Sequence, residues 1–280
     1  MKINVDRKEA YELFRNFIST ISEEIAKFTR ENKIGITEKD DRTLVTECDK
    51  YIDKITGSIA QEKGFSVISE ERENDLDTLR SGNYVIIDAI DGTLGYIKHT
   101  QSSADKTNPH INSQLGYNND YSFLSAIIIN GKPRFGLCYN YVTSETILLD
   151  SEDSKHTIWE NKNPIFNSKN AHYIDLRCED FPNKRLSCHK DTITYQYTSP
   201  GMAFIYAQLN NHDSAAIYHF PQQNGLWDIA PACVAAGFSN THILDGNGEP
   251  IKFKDYLDIP KKGLVLIKGN KFNWLRNYLN

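Results

Sequence analysis

Six carboxylates stand at the ends of apolar runs: Asp49 in VTECD, Glu70 and Glu71 in VISEE, Asp88 and Asp91 in VIIDAIDGT, and Asp228 in LWDIA. Acids on a free surface need no explanation. Acids at the edges of elements that bury their apolar residues do, because brought together they repel one another without a counter-ion. A hard divalent cation resolves that repulsion, since Mg²⁺ takes carboxylate oxygens, backbone carbonyls and water. The run Asp88-Ala-Ile-Asp91-Gly92-Thr93 has a specific logic. Its two acids are three residues apart, so on a tight turn both can face one ion with the Ile90 carbonyl between them. Gly92 lets the backbone approach a ligand closely, and N–H groups exposed by such a turn can cradle a phosphate. Thr93 adds a hydroxyl that can orient a water. These residue types point to metal-assisted chemistry on a phosphate.

The elements that must position them follow from periodicity. Ala10, Leu13, Phe14, Phe17, Ile18, Ile21 and Ile25 fall on one face of a helix over about 6–30, opened by an Asp6/Glu9 capping box. A second helix over about 48–62 repeats the pattern through Tyr51, Ile52, Ile55 and Ile59, after a polar GITEKDDRTLVT stretch that reads as a turn or short hairpin. Short apolar runs at 65–68 and 84–87 read as buried strands feeding the acidic loops. Strands are expected at 121–129 and 134–141, joined by the hairpin signal Asn130-Gly131, and at 145–149. The polar stretch 150–164 suggests a boundary between an N-terminal half, 1–155, and a C-terminal half, 156–280. The second half holds a helical stretch at 201–209, a helix beginning near Trp227, strands at 241–244 and 264–267, and a short helix carrying Phe272, Trp274, Leu275 and Leu279. Residues 98–120 read as a long polar connection, of the kind that serves as a lid or stays disordered.

Composition bounds the function class. The 280 residues carry 37 Asp+Glu against 32 Lys+Arg, a formal net charge of -5. That balance argues against a nucleic-acid partner. The polar start and the lack of any apolar run near about 18 residues argue against a signal peptide and a membrane span, and so for a cytoplasmic protein. Five cysteines in no regular spacing suggest neither a disulfide framework nor a zinc site. Spacing argues against one competing motif. The haloacid dehalogenase signature D-x-D-G-T would need its nucleophilic Asp where Ala89 stands.

Taken in order, VTECD (45–49), SEE (69–71), DAIDGT (88–93) and WDIA (227–230) resemble the motifs of the inositol monophosphatase superfamily of Mg²⁺-dependent, lithium-sensitive phosphatases. YSFLSAIIINGKPRFGLCYNYVTSET and AAGFSNTHILDGNGEPIKF resemble further family segments, so the likeness spans roughly 6–255. Within the superfamily, KDDRTLVTECD and DGTLGYIK resemble the 3'(2'),5'-bisphosphate nucleotidase branch. Three departures bear on the substrate. Leu94 replaces the usual lysine after DGT, the G-S-S-x-K substrate segment is Thr198-Ser-Pro-Gly-Met202 without its lysine, and the 98–120 stretch is long.

The resemblance implies an α/β (α+β) fold, a layered αβαβα sandwich with two sheets flanked by helices. It also implies two or three Mg²⁺ held by Glu70, Asp88, Asp91, Asp228 and the Ile90 carbonyl. Glu70 and Thr93 would position a water, with Asp49 accepting the Thr93 hydroxyl, for direct in-line attack with no phosphoenzyme. Gly92 and Thr93 N–H groups would hold the phosphate, Lys39 could reach it, and Glu71 would stand behind the ligands. The expected substrate is a small phosphorylated metabolite, foremost the 3'-phosphate of 3'-phosphoadenosine 5'-phosphate, with inositol 1-phosphate or a sugar phosphate as the alternative. A non-catalytic phosphate-ligand sensor on the same fold is the alternative of another class.

Overall fold

The computed structural model describes residues 4–31, 35–38, 44–104, 117–118, 121–161, 171–176, 192–197, 199–209, 214–218, 225–237, 241–245, 248–255 and 264–269. The expected C-terminal helix around Phe272–Leu279 lies outside them, as does Lys39.

Helix α1 (Arg7–Glu31) starts at the expected capping box: the Glu9 N–H donates to Asp6 Oδ1 at 2.8 Å and the Asp6 N–H to Glu9 Oε2 at 3.4 Å. The polar stretch after it is a two-stranded antiparallel hairpin, β1 (Ile36–Glu38) with β2 (Leu44–Thr46). It leads into α2 (Glu47–Glu62). The first six-stranded sheet then assembles in the order β3-β4-β6-β7-β8-β9. Its members are β3 (Val67–Ser69), β4 (Tyr84–Asp91), β6 (Ser122–Ile129), β7 (Lys132–Asn140), β8 (Thr146–Asp150) and β9 (Ile158–Glu160). β3 is parallel to β4 and the other pairings are antiparallel. The β6–β7 connection uses positive φ at both Asn130 (53°) and Gly131 (75°), the combination a tight hairpin needs.

Every residue of β4 is buried, because the strand is covered on both faces. Val85, Ile87 and Ala89 join Phe14, Phe17, Ile21 and Ile52 in a core against α1 and α2. Tyr84 and Ile86 join Leu124, Ile147 and Leu149 in a second core. That second core is closed by α5 (Pro200–Leu209) and α6 (Leu226–Ala236) through Phe204, Ile205, Ile229 and Val234. Beyond those helices lies the second sheet, in the order β13-β14-β12-β10-β11-β5. It combines β5 (Tyr117–Asn118), β10 (Ala171–Leu176), β11 (Thr192–Tyr197), β12 (Ser214–Tyr218), β13 (Thr241–Asp245) and β14 (Leu264–Lys268). The layers are therefore helices, sheet, helices, sheet. The described residues give four of the five layers of the expected sandwich.

Several elements correct the sequence reading: β5 falls within the 98–120 stretch, β9 falls within the expected 150–164 boundary and joins the first sheet, and β10, β11 and β12 stand where no strand is expected. A short helix α3 (Leu76–Ser81), capped by the Asp75 carboxylate, stands where the pattern predicts no element. Residues 98–104 are not loop but the end of α4 (Thr93–Ala104). Tyr96, Ile97 and Thr100 of this helix are buried, and the Thr100 hydroxyl folds back onto the Tyr96 and Ile97 carbonyls at 2.8 and 3.0 Å. Among the described residues, no helix is long and apolar enough to cross a membrane.

Candidate active site

The end of β4 makes the site. Its register against β6 shifts between Asp88, opposite Leu124, and Asp91, opposite Ser122. Three steps on β4 thus oppose two on β6, and the bulge re-aims side chains that a regular strand would send to alternate faces. Two bonds hold it. The Tyr141 hydroxyl donates to the Ala89 carbonyl at 2.9 Å, and the Ile90 N–H to Asp88 Oδ1 at 3.1 Å. Asp228 arrives from the second half of the chain, in the first turn of α6, where it accepts the Gly225 N–H at 2.8 Å. Carboxylate oxygens of Asp88, Asp91 and Asp228 then lie within 4.8 Å of one another. Asp88 and Asp91 are each 2% exposed and Asp228 is 9% exposed, so the cluster opens at Asp228.

Electrostatics mark this cluster as unfinished. Burial is the main cause that pushes the Asp88 carboxyl well above the carboxylate range, followed by the charges of Glu70, Asp91, Asp228 and Glu71. Asp91 is raised by burial too, against the opposing pull of the donors that surround it. Asp88 Oδ2 is buried without a hydrogen-bond partner. A buried acceptor costs its full desolvation free energy unless something binds it. An oxygen-rich, anionic, half-satisfied pocket fits a hard divalent cation.

Beside it, Asp49 sits on the first turn of α2 in a reciprocal cap with Thr46, whose N–H donates to Asp49 Oδ2 at 2.9 Å. The other oxygen, Oδ1, accepts the Thr93 hydroxyl at 3.0 Å, and the Ile90 carbonyl lies 3.2 Å from the same hydroxyl. Burial, opposed by the Thr46 and Thr93 bonds, raises the Asp49 carboxyl to about 6. The T-x-x-D of VTECD carries this cap in plain sight, as a capping-box spacing.

Ser199 and its neighbours do work the sequence reading assigned differently. The Ser199 hydroxyl donates to Asp91 Oδ2, which also accepts the N–H groups of Gly201 (2.9 Å) and Met202 (3.3 Å). Asp91 therefore caps α5. Ser122 closes the group, its hydroxyl 2.8 Å from that of Ser199. A side chain at Gly201 would collide with the Asp228 carbonyl and Leu124 and stand 3.1 Å from Asp91 Oδ2, which is why a glycine occupies this close approach.

The remaining candidates fall as follows. Glu70 follows β3, whose last residue Ser69 pairs with Ile87; the turn places Glu70 near enough for its charge to raise Asp88, Asp91 and Asp49. It lies outside the tight trio. Gly92 and Thr93 open α4, whose first N–H groups have no acceptor within the helix. The Ile90 carbonyl lies beside the Thr93 hydroxyl, at 3.2 Å. Trp227 packs over Gly225 and against the second core, anchoring the turn that carries Asp228. Lys39 and Thr198 are outside the described residues.

Residues 4–264 match the family model described as the inositol monophosphatase family. The chain belongs to this family. Inositol monophosphatase-family proteins are metal-dependent phosphatases, and solved structures of relatives repeat its fold. The Thermotoga maritima inositol monophosphatase is 14% identical, with a TM-score of 0.67 over 96% of this chain and 95% of that one. A staphylococcal inositol monophosphatase I complexed with products is 16% identical, with a TM-score of 0.71 over 98% and 96%. An inositol monophosphatase/NADP phosphatase complexed with Mg²⁺ and phosphate is 16% identical, with a TM-score of 0.69 over 97% and 95%. No individual curated protein matches the sequence significantly.

Proposed function

We propose that this chain is a Mg²⁺-dependent phosphomonoesterase whose substrate is a small phosphorylated metabolite, foremost the 3'-phosphate of 3'-phosphoadenosine 5'-phosphate. The observation that carries the reading is the buried Asp88–Asp91–Asp228 cluster with the Thr93–Asp49 pair at its edge. Asp88, Asp91, Asp228, Glu70 and the Ile90 carbonyl would hold the cations, two or three in number. Bound there, Mg²⁺ supplies charge neutralisation of the phosphate ester and lowers the pKa of water.

The protein's own groups do the rest. With its one proton taken by Asp49 or the Ile90 carbonyl, Thr93 Oγ1 is left as an acceptor, the role needed to hold an attacking water. Asp49, raised to about 6, is the group that can stabilise a proton shared with Thr93. Glu70 takes the second proton direction of that water. The N–H groups at the start of α4, on Gly92 and Thr93, face the phosphate oxygens, where a helix N-terminus favours negative charge. Water attacks phosphorus in line as the ester P–O bond breaks on the opposite side, the departing alkoxide takes a proton from solvent, and no residue becomes phosphorylated. Positioning and charge stabilisation supply most of the acceleration, as phosphoryl transfer requires.

The choice of a bisphosphate nucleotide rests on the KDDRTLVTECD and DGTLGYIK runs. In the structure the Ser199 hydroxyl and the Gly201 and Met202 N–H groups are engaged by Asp91. The test is a side-by-side rate comparison of 3'-phosphoadenosine 5'-phosphate, inositol 1-phosphate, and fructose and histidinol phosphates with Mg²⁺ present. The nucleotide should give the highest kcat/KM. A higher value for inositol 1-phosphate would move the chain to the inositol branch, and turnover of none would favour a phosphate-ligand sensor.

A further inference from the structure

Asp49, Asp53 and Gly57 lie one helical turn apart on α2, and all three are buried. Residues four apart share a helix face, so this stripe looks at the site loops. Asp49 meets Thr93. Asp53 meets the turn that carries Glu70 and Glu71, and its carboxylate is divided between two partners. Oδ1 accepts the Ser69 hydroxyl. Oδ2 accepts Arg72 Nε at 3.0 Å and Nη2 at 2.6 Å, while Nη2 also reaches the Asp53 carbonyl at 2.8 Å.

The turn is tied from its own side as well. The Asn74 amide mimics a strand neighbour for Ser69, accepting its N–H at 2.8 Å and donating to its carbonyl at 2.6 Å. The Glu71 N–H donates to Ser69 Oγ at 3.3 Å. Glu70 and Glu71 are thus carried on a backbone fixed at Ser69, Arg72 and Asn74, and the first two of these anchors end on Asp53. Gly57 completes the stripe by absence: a Cβ there would overlap the guanidinium, 2.6 Å from Nη1 and 2.7 Å from Cζ. With any larger residue at 57, the guanidinium would have to leave this position.

We propose that α2 is the gauge of the active site, holding Thr93 through Asp49 and the Glu70 turn through the Asp53–Arg72 clamp, with Gly57 as the space the clamp requires. The proposal rests on the phosphatase reading for what Glu70 and Thr93 do, but the clamp is read from this chain alone. Asp53, Arg72 and Gly57 are positioning residues. Arg72 turns its Nε and Nη2 donors to Asp53.

Gly57→Ala is the informative variant. Alanine is the better helix former, so the chain should fold, and what must give way is the guanidinium. Removing groups that orient ligands costs about 10–100-fold in metal affinity or activity. Gly57→Ala and Arg72→Lys should each weaken Mg²⁺ binding to the substrate-free protein, followed by titration calorimetry, by about 10-fold. They should lower kcat similarly while KM stays within about 2-fold. Adding Gly57→Ala to Arg72→Ala should change nothing further, because the group that alanine displaces is already gone. Arg7→Ala, which breaks an ion pair with Asp150 away from the site, should lower Tm without moving the Mg²⁺ midpoint.

Unchanged Mg²⁺ affinity in folded Gly57→Ala and Arg72→Lys would overturn the gauge, as would a rise in KM alone or an additive double variant. If the native chain hydrolyses no phosphate ester, the phosphatase reading falls. The Mg²⁺ titration then still decides whether the clamp positions the carboxylates.

Discussion

The Ser199 hydroxyl donates to Asp91 Oδ2 across 108 residues of chain, so the acid that closes the cation cluster is also the cap of a helix from the other half of the molecule. Helices α5 and α6 already share a core with the first sheet, and this bond fastens them to it at the point where the chemistry is expected. Ser199→Ala removes one cap bond and leaves the Gly201 and Met202 N–H groups in place. It should cost about 1–2 kcal/mol of stability in urea unfolding. Gly201→Ala should cost more, because its Cβ meets backbone and core atoms that cannot move aside.

Asp91→Asn and Asp228→Asn should separate stability from function. In the first, the amide oxygen of the new side chain would still accept the α5 N–H groups, and each change removes one charge from a buried group of like charges. Tm in chelator should therefore hold or rise in both variants. Stabilisation by added Mg²⁺ should disappear, and phosphate release should fall on the order of 10³-fold.

Acidity should act in opposite directions in two windows. Asp49 has its carboxyl raised in the folded protein, from an ordinary 3.8 to about 6. Its contribution to stability is fully present below about 3.8 and is lost as pH rises through about 6. Asp88 and Asp91 act in the same sense. Asp150, which accepts Arg7 at 2.7 Å and a second bond from Arg134, is lowered by those partners despite its burial, so its contribution is lost only as pH falls below the ordinary carboxylate range. Thermal melts in chelator should show Tm falling from about pH 4 to pH 7, and saturating Mg²⁺ should flatten that slope. A Tm rising with pH over that window in chelator would contradict the burial of these acids.

Thr93→Ala and Thr93→Ser should behave differently. Alanine removes the acceptor for water and leaves Asp49 Oδ1 without that donor; serine restores both. Activity should fall about 10²-fold in the first and largely return in the second, with Mg²⁺ affinity unchanged in both.

How much of this is legible in the sequence depends on distance along the chain. Asp88, Ile90, Asp91 and Thr93 sit within one turn, and Asp228 lies beside a tryptophan at a helix start, so local patterns expose them. The hairpin at Asn130-Gly131 and the α1 capping box are equally local. Ser199, Ser122 and Gly201 do not read as supports of Asp91, because a serine acquires meaning only when the fold brings a carboxylate to it. The strands β10, β11 and β12 escape for a related reason. AHYIDL, TITYQY and SAAIY are short, mixed in polarity, and paired in parallel, so no tight turn announces them. Arg72 gives no signal because a charged residue after two glutamates reads as solvated surface until Asp53 is seen opposite.

The most direct test of the central claim is a single-turnover quench with 3'-phosphoadenosine 5'-phosphate labelled in the 3'-phosphate, run with and without Mg²⁺ in ¹⁸O-enriched water. The account predicts label released as phosphate only when Mg²⁺ is present, with one solvent oxygen incorporated and no label on the protein at any time. Label trapped on an aspartate, or release undiminished in chelator, would contradict it.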